Sequence, residues 1–183
     1  LNTRNHGDSD DDRYSSILQF REDISHAMAF ILARRKTPEG IALVGHSLGG
    51  GASLFAASMD QRVKAVVSIG TFSNMEAFMY KWLHRHRMPR FFITGIIRFI
   101  ELRAGITFSE ISPDQTIRRY KGPVLLVHGT QDDTVPFKAL LELQKAADRE
   151  NVKILKLKGH THSSMLKDRH VARDLKRFLD ETI

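Results

Sequence analysis

Ile41-Ala42-Leu43-Val44-Gly45-His46-Ser47-Leu48-Gly49-Gly50 is the stretch on which the reading of this chain turns. The unbroken apolar run from Ile41 to Val44 predicts a short strand buried on both faces. Residues from Leu48 to Met59 read as a helix. Between the two, Gly45 and Gly49 flank Ser47 in the pattern G-x-S-x-G. A serine at so sharp a strand-to-helix turn needs small neighbours, because a larger side chain would collide across the bend. The turn lifts the hydroxyl above the strand end. It also aims the first free N–H groups of the helix, that of Leu48 foremost, at negative charge forming on a reacting oxygen. The plain alternative is a glycine-rich turn with an incidental serine.

Working outward, Leu1 to Asp12 is polar and acidic and reads as a loop. A helix is predicted from Tyr14 to Arg35, with Tyr14, Ile17, Ile24, Met28 and Ile31 on one face and Lys36-Thr37-Pro38-Glu39-Gly40 ending it. Further strands are predicted at Val63–Ile69, Pro123–His128 and Val152–Leu157, and helices at Phe137–Glu150 and Ser164–Thr182. Val171, Leu175, Phe178 and Leu179 form the stripe of the last helix. Strands alternating with helices predict the α/β class: a mostly parallel sheet, helices on both faces, and right-handed crossovers. The stretch from Thr71 to Tyr120 breaks the rhythm. It is too long for a simple connection and reads as an insertion over one end of the sheet.

Two later segments each follow a predicted strand. One is His128-Gly129-Thr130-Gln131-Asp132-Asp133-Thr134-Val135-Pro136, and the other is Lys158-Gly159-His160-Thr161-His162-Ser163. With Ser47 they present nucleophile, acid and base in one chain order. On these segments the chain resembles the α/β-hydrolase superfamily, and most of all its serine-aminopeptidase-like esterase and lipase branch. Thr3-Arg4-Asn5-His6-Gly7-Asp8-Ser9 looks like that group's R-G-H-G-x-S loop, with Asn5 where glycine is usual, and Ser112-Pro113 is also typical. The resemblance spans nearly the whole chain.

The resemblance implies a single domain over residues 1–183 with a helical cap at about 71–120. It implies Ser47 as nucleophile, Asp132 as acid with Asp133 as the alternative, and His162 as base with His160 as the alternative. Gly45 and Gly49 would shape the turn. The N–H of Leu48 would be one oxyanion donor, the other coming from a loop after an earlier strand. The first strands of the fold are then expected to precede Leu1, which leaves an unpaired edge beside Ile41–Val44. The implied chemistry is two-step acyl transfer on a small-molecule ester or acyl substrate, with carboxylic esters as the default and thioesters or peptides using the same parts. No cofactor is required.

Bulk properties narrow the field. A chain of 183 residues, 42% hydrophobic, suffices for one domain. With no cysteine, disulfides, thiolate catalysis and Cys-type zinc sites are excluded. His160 and His162 form an H-x-H pair, but no third ligand stands at helpful spacing, so no metal is expected. Net charge is +7, yet the basic residues are scattered, and nucleic acid is not an expected partner. Peripheral membrane contact is a separate expectation. It rests on Phe91, Phe92, Ile93, Ile96, Ile97, Phe99 and Ile100, punctuated by Arg90, Arg98 and Arg103. No stretch reaches the ~20 apolar residues of a membrane span. No leader is visible and the expected location is cytoplasmic, although the chain opens on Leu1 rather than Met. His46 reads as a packing residue, and His84 and His86 as solvated. The rival readings are a non-catalytic binding relative and a membrane-associated lipid hydrolase.

Overall fold

Four strands, β1 (Ile41–His46), β2 (Val63–Ile69), β3 (Val124–Gly129) and β4 (Val152–Leu157), pair in that order, all parallel, in the computed structural model. It describes residues 1–34, 40–147 and 150–183. Side chains alternate across the sheet. Val66 and Leu126 point to one face, with Phe20, Ile24 and Met28 of α1 (Ile17–Arg34), the alanines of α2 (Leu48–Met59) and Leu140 and Leu143 further along the chain. Ala65, Val67, Leu125 and Val127 point to the other face, towards Met165, Val171 and Phe178. Burial on both faces is why β3 from Val124 to Val127, and β2 from Ala65 to Val67, are apolar runs; Lys64, at the start of β2, is exposed.

β1 meets one expectation and departs from another. It pairs only with β2 among the described residues, which is the expected unpaired edge, but Val44 is 51% exposed, so the strand is not buried on both faces. α1 begins at Ile17, not Tyr14. Ser16 precedes it and its Oγ accepts from Gln19 N at 3.2 Å, the bond of a helix-starting serine, while Tyr14 lies exposed outside. Of the stripe read from sequence, Ile17, Ile24 and Met28 are buried and Ile31 is not. The breaker at Lys36–Glu39 lies outside the described residues.

The stretch from Thr71 to Tyr120 holds four helices: α3 (Met75–Arg85), α4 (Arg90–Ala104), α5 (Phe108–Ile111) and α6 (Pro113–Arg119). Each boundary has a local cause. Asn74 Oδ1 accepts from Ala77 N at 2.8 Å to start α3. Gly105, at φ 64, closes α4 in the left-handed region. Thr107 and Glu110 form a reciprocal capping box on α5. Pro113 opens α6 at a position where its missing N–H is not needed. Leu83, Ile93, Ile97, Phe108 and Ile111 of α3–α5 build a second core around Phe72 and Val135. α6 does not share it. Its Ile117 packs with the sheet core, so the end of this stretch belongs to the helical layer over the sheet.

Between β3 and β4, α7 (Lys138–Ala147) starts one residue later than predicted, and the predicted end of that helix falls partly on residues outside the described set. The final predicted helix is broken. A short 3₁₀ turn covers Ser164–Lys167, and α8 (Arg169–Asp180) follows. Asp168 causes the break. It is extended, at φ −84 and ψ 119, and its Oδ1 accepts from His170 N at 2.7 Å, capping α8 anew.

Candidate active site

The loops leaving the four strands meet at one end of the sheet, where a parallel sheet characteristically holds its ligands. Ser47 follows β1 directly at φ 54 and ψ −118, a conformation that strains a residue with a side chain by about 1–3 kcal/mol. Its N–H donates to Ile69 O at 2.8 Å, stitching the turn to β2. Its carbonyl accepts from Gly50 N and Gly51 N, and from Thr71 Oγ1 at 3.2 Å. Ser68 Oγ donates in turn to Thr71 Oγ1 at 2.7 Å. Leu48 is the first residue of α2, so its N–H has no carbonyl one turn earlier in the helix to receive it.

The two flanking glycines differ, which corrects the expectation from the motif. A Cβ on Gly45 would overlap the backbone of Gly49 and Gly50, whereas one on Gly49 would meet nothing within 4 Å. Gly50, outside the motif core, is as constrained as Gly45, because a Cβ there would overlap Thr71 Oγ1. Gly45→Ala is therefore expected to cost on the order of 1–3 kcal/mol in urea unfolding. Gly49→Ala should leave stability unchanged or raise it by up to about 1 kcal/mol, since alanine is the better helix former.

The structure brings Asp132 and His162 together. His162 Nδ1–H donates to Asp132 Oδ2 at 2.7 Å, which leaves Nε2 as the nitrogen free to accept a proton. The Asp132 carboxylate is fully enclosed. Its other oxygen, Oδ1, accepts from Thr134 N at 3.0 Å and Val135 N at 2.8 Å. Asp133 stays exposed and, among the described residues, bonds only the hydroxyl of its neighbour Thr134. His160 turns the other way, placing Nε2 at 2.8 Å from Asp168 Oδ2. Its backbone does the local work: His160 O accepts from Gln131 N at 3.0 Å and lies so close to Gly129 that a Cβ there would overlap it. Gly159 N donates to Thr130 Oγ1 at 3.0 Å. The acid loop and the base loop are thus pressed backbone to backbone.

His162 reaches the serine turn through two contacts. His46 Nε2–H donates to His162 O at 3.0 Å, and the two rings stack at a tilt with centroids 4.5 Å apart. The His162 ring also lies 3.3 Å from the place a Cβ would take on Gly70, which follows β2 beside the Ser47 turn. His46, read from sequence as packing, thus packs and also bonds the base loop; its position next to Ser47 was the available signal. His128 was missed as part of the site. It is buried beneath the acid, donates from Nε2 to Val135 O at 2.9 Å and lies 3.4 Å from Asp132 Oδ2.

Burial holds both His46 and His128 below the usual imidazole range, in each case against the opposing pull of Asp132. The pH consequence has a definite sign. Above about pH 6.5 both rings are neutral whether the chain is folded or not. As pH falls below that, the unfolded chain takes up protons first, so folding stability drops. The melting temperature should therefore decline as pH falls through and below about 6.5, and decline less in His46→Asn.

The loop at Thr3–Ser9 sits on the other side of Ser47. Asn5 adopts φ 64, a conformation that asparagine tolerates best after glycine, which accounts for its standing where glycine is usual. Arg4 ties the loop to α1 through Asp23 at 2.6 Å and Glu22 at 2.9 Å. Thr3 and His6 line the same open groove as Ser47 and Leu48, about 930 Å³ along the unpaired edge of β1. His84 and His86 are exposed. Among the described residues no cluster of three or more His, Cys, Asp or Glu is arranged to hold a metal ion.

Comparison with known proteins agrees with this architecture. Residues 19–183 match the profile of the prolyl oligopeptidase family. Uncharacterized protein YqkD of Bacillus subtilis (strain 168) is 28% identical over 107 residues, 57% of this chain and 35% of that protein. The match thus spans about a third of the relative's length. The esterase domain of a Rhodothermus marinus protein superposes with a TM-score of 0.64 at 23% identity, covering 88% of this chain and 69% of that one. The acylaminoacyl peptidase of Pyrococcus horikoshii gives 0.66 at 21% identity over 87% of this chain and 26% of that one. Likeness at these identities establishes the fold, which is that of the α/β-hydrolases.

Proposed function

Because the chain belongs to the prolyl oligopeptidase family, we propose that it forms one α/β-hydrolase domain that cleaves carboxylic ester bonds through Ser47, His162 and Asp132. The observation that carries this reading is the 2.7 Å bond from His162 Nδ1 to the enclosed Asp132, beside a strained serine turn. Ser47 Oγ attacks the substrate carbonyl carbon as His162 Nε2 takes the hydroxyl proton. The carbonyl oxygen becomes an oxyanion and rests on the Leu48 N–H. His162 then returns its proton to the leaving alcohol as the carbon–oxygen bond breaks. Water, deprotonated by the same nitrogen, releases the acid and restores Ser47. Asp132 holds the Nδ1–H tautomer and stabilises the imidazolium in both halves. No cofactor enters these steps.

Within residues 71–120, α3–α5 serve as the cap. Their core includes Phe72 and Val135, which stand within a few residues of Gly70 and Asp132 at the site's end of the sheet. A second reading, peptide-bond hydrolysis by the same residues, is favoured by the family match itself. A fluorophosphonate probe tests the common part: covalent label should map to the tryptic peptide containing Ser47, and an unlabelled protein would point to a non-catalytic relative. Turnover of p-nitrophenyl acyl esters against aminoacyl p-nitroanilides then separates the two readings. Faster anilide cleavage would replace the esterase assignment with a peptidase one.

A further inference from the structure

The apolar residues of α4 divide into two faces. Ile93 and Ile97 are buried in the core shared with Leu83 and Phe108. Phe91, Phe92, Phe99 and Leu102 stand in solvent, Phe91 70% and Leu102 82% exposed. At about 100° per residue these four, with Gly95, occupy one arc of about 100° on the helix. Arg98 borders that arc on one side and Arg103 on the other. A single exposed leucine needs no explanation, but a row of three phenylalanines and a leucine along one helix face does. The fold does not use this face, because the helix already meets the protein through the opposite one.

The charge around the arc is one-sided. Lys81, Arg85, Arg87, Arg90, Arg98 and Arg103 stand on α3, on α4 and in the turn between them. Between Lys81 and Arg103 the one carboxylate is Glu101, and it faces inward; Glu76, exposed in the first turn of α3, adds a second whose charge reaches Arg98. Glu101 Oε2 takes Arg98 Nη1 at 2.6 Å, and its Oε1 accepts from Phe108 N at 2.7 Å. Lys81, Arg85, Arg87, Arg90 and Arg103 have no carboxylate within 4.0 Å among the described residues. Trp82, half-exposed on α3, adds an amphipathic ring of the kind that settles at a lipid–water boundary.

We propose that the outer face of α4 is a docking surface for an anionic lipid bilayer. The helix lies in the interface plane, with Phe91, Phe92, Phe99 and Leu102 entering the boundary between headgroups and acyl chains while the basic residues around them meet lipid phosphates. Charge complementarity selects this occupant. A second copy of the chain would bring the same unpaired cations face to face, and such repulsion opposes association. No helix among the described residues is long and apolar enough to cross a membrane, so the contact is peripheral. The inference is independent of the chemistry at Ser47.

Co-sedimentation with vesicles tests it, using phosphatidylcholine alone and phosphatidylcholine mixed with phosphatidylserine. The protein should bind the mixed vesicles at least about tenfold more tightly than the neutral ones, and less tightly as salt is raised. Phe99→Ser with Leu102→Ser, and separately Arg87→Glu with Arg90→Glu, should each weaken binding by about tenfold or more. All four positions are exposed, so the melting temperature should hold in both variants. Ser47→Ala should bind as the unaltered protein does, which separates this surface from the hydrolase reading. Absence of binding to the mixed vesicles, or binding that both double variants retain, would overturn the proposal. So would a dimer in solution that Phe99→Ser with Leu102→Ser dissolves, if that dimer binds no vesicle.

Discussion

Ser47→Ala is expected to lower turnover by on the order of 10⁶-fold and to abolish fluorophosphonate labelling, with the fold intact. The fold should survive because the side chain is not what holds the turn. Ser47 is fixed through its backbone, by the N–H bond to Ile69 O and by the three donors on its carbonyl, and alanine keeps all four. Alanine also carries the same φ 54 strain as serine, so nothing is relieved or added. His162→Ala should cost a similar factor, since nucleophile and base act as one unit and removing either removes both. His160→Ala should cost far less, because its ring points away, at Asp168. Labelling that persists in Ser47→Ala would move the nucleophile elsewhere. A larger loss in His160→Ala than in His162→Ala would move the base.

Asp132→Asn should lower turnover by about 10⁴-fold while leaving the site's geometry in place. The reason can be read from the hydrogen bonds. Oδ1 accepts from two backbone N–H groups, of Thr134 and Val135, so an asparagine must keep its carbonyl oxygen there. Its NH₂ then faces His162 Nδ1, where Oδ2 now sits. A donor at that place forces Nδ1 to accept, the ring proton moves to Nε2, and the nitrogen that must take the Ser47 proton already carries one. Asp133→Asn alters an exposed group with no bond to His162, so its turnover should stay within a few-fold of the unaltered protein. Steady-state kinetics on one ester substrate compare the two variants, and equal losses would remove Asp132 from its assigned role.

Much of the architecture was legible in the residues, for identifiable reasons. β2 from Ala65 onward and β3 are buried on both faces, so their apolar runs stand out, and their bounds come within a residue or two of those predicted. The G-x-S-x-G turn was legible because close approach leaves no room at Gly45. Other features were not. The resemblance implied an open edge beside Ile41–Val44, but nothing local marks Val44 as exposed, since an apolar run looks the same whether or not both faces are covered. The break at Asp168 was hidden in a helical pattern, because a capping aspartate is visible only once its carboxylate is seen to bond the next turn. The end of the 71–120 stretch carries the same apolar character as its beginning, yet Ile117 faces the sheet and Ile93 does not.

The same division runs through the site. By itself the sequence determined the α/β class, the order of Ser47, Asp132 and His162 along the chain, and one alternative each for Asp132 and His162. These follow from periodicity and spacing, which are properties of neighbours in sequence. Only the tertiary structure distinguishes the members of each pair: Asp132 bonds His162, while Asp133 is exposed and His160 turns to Asp168. In each pair the residues differ by one or two positions, and the choice depends on which side chain a strand-end loop turns inward. It also decided that His128 and His46 stand against the acid and the base, and that Phe91, Phe92, Phe99 and Leu102 face water while Ile93 and Ile97 do not. Those outcomes rest on contacts between segments far apart in the chain, and a local pattern carries no record of what lies across from it.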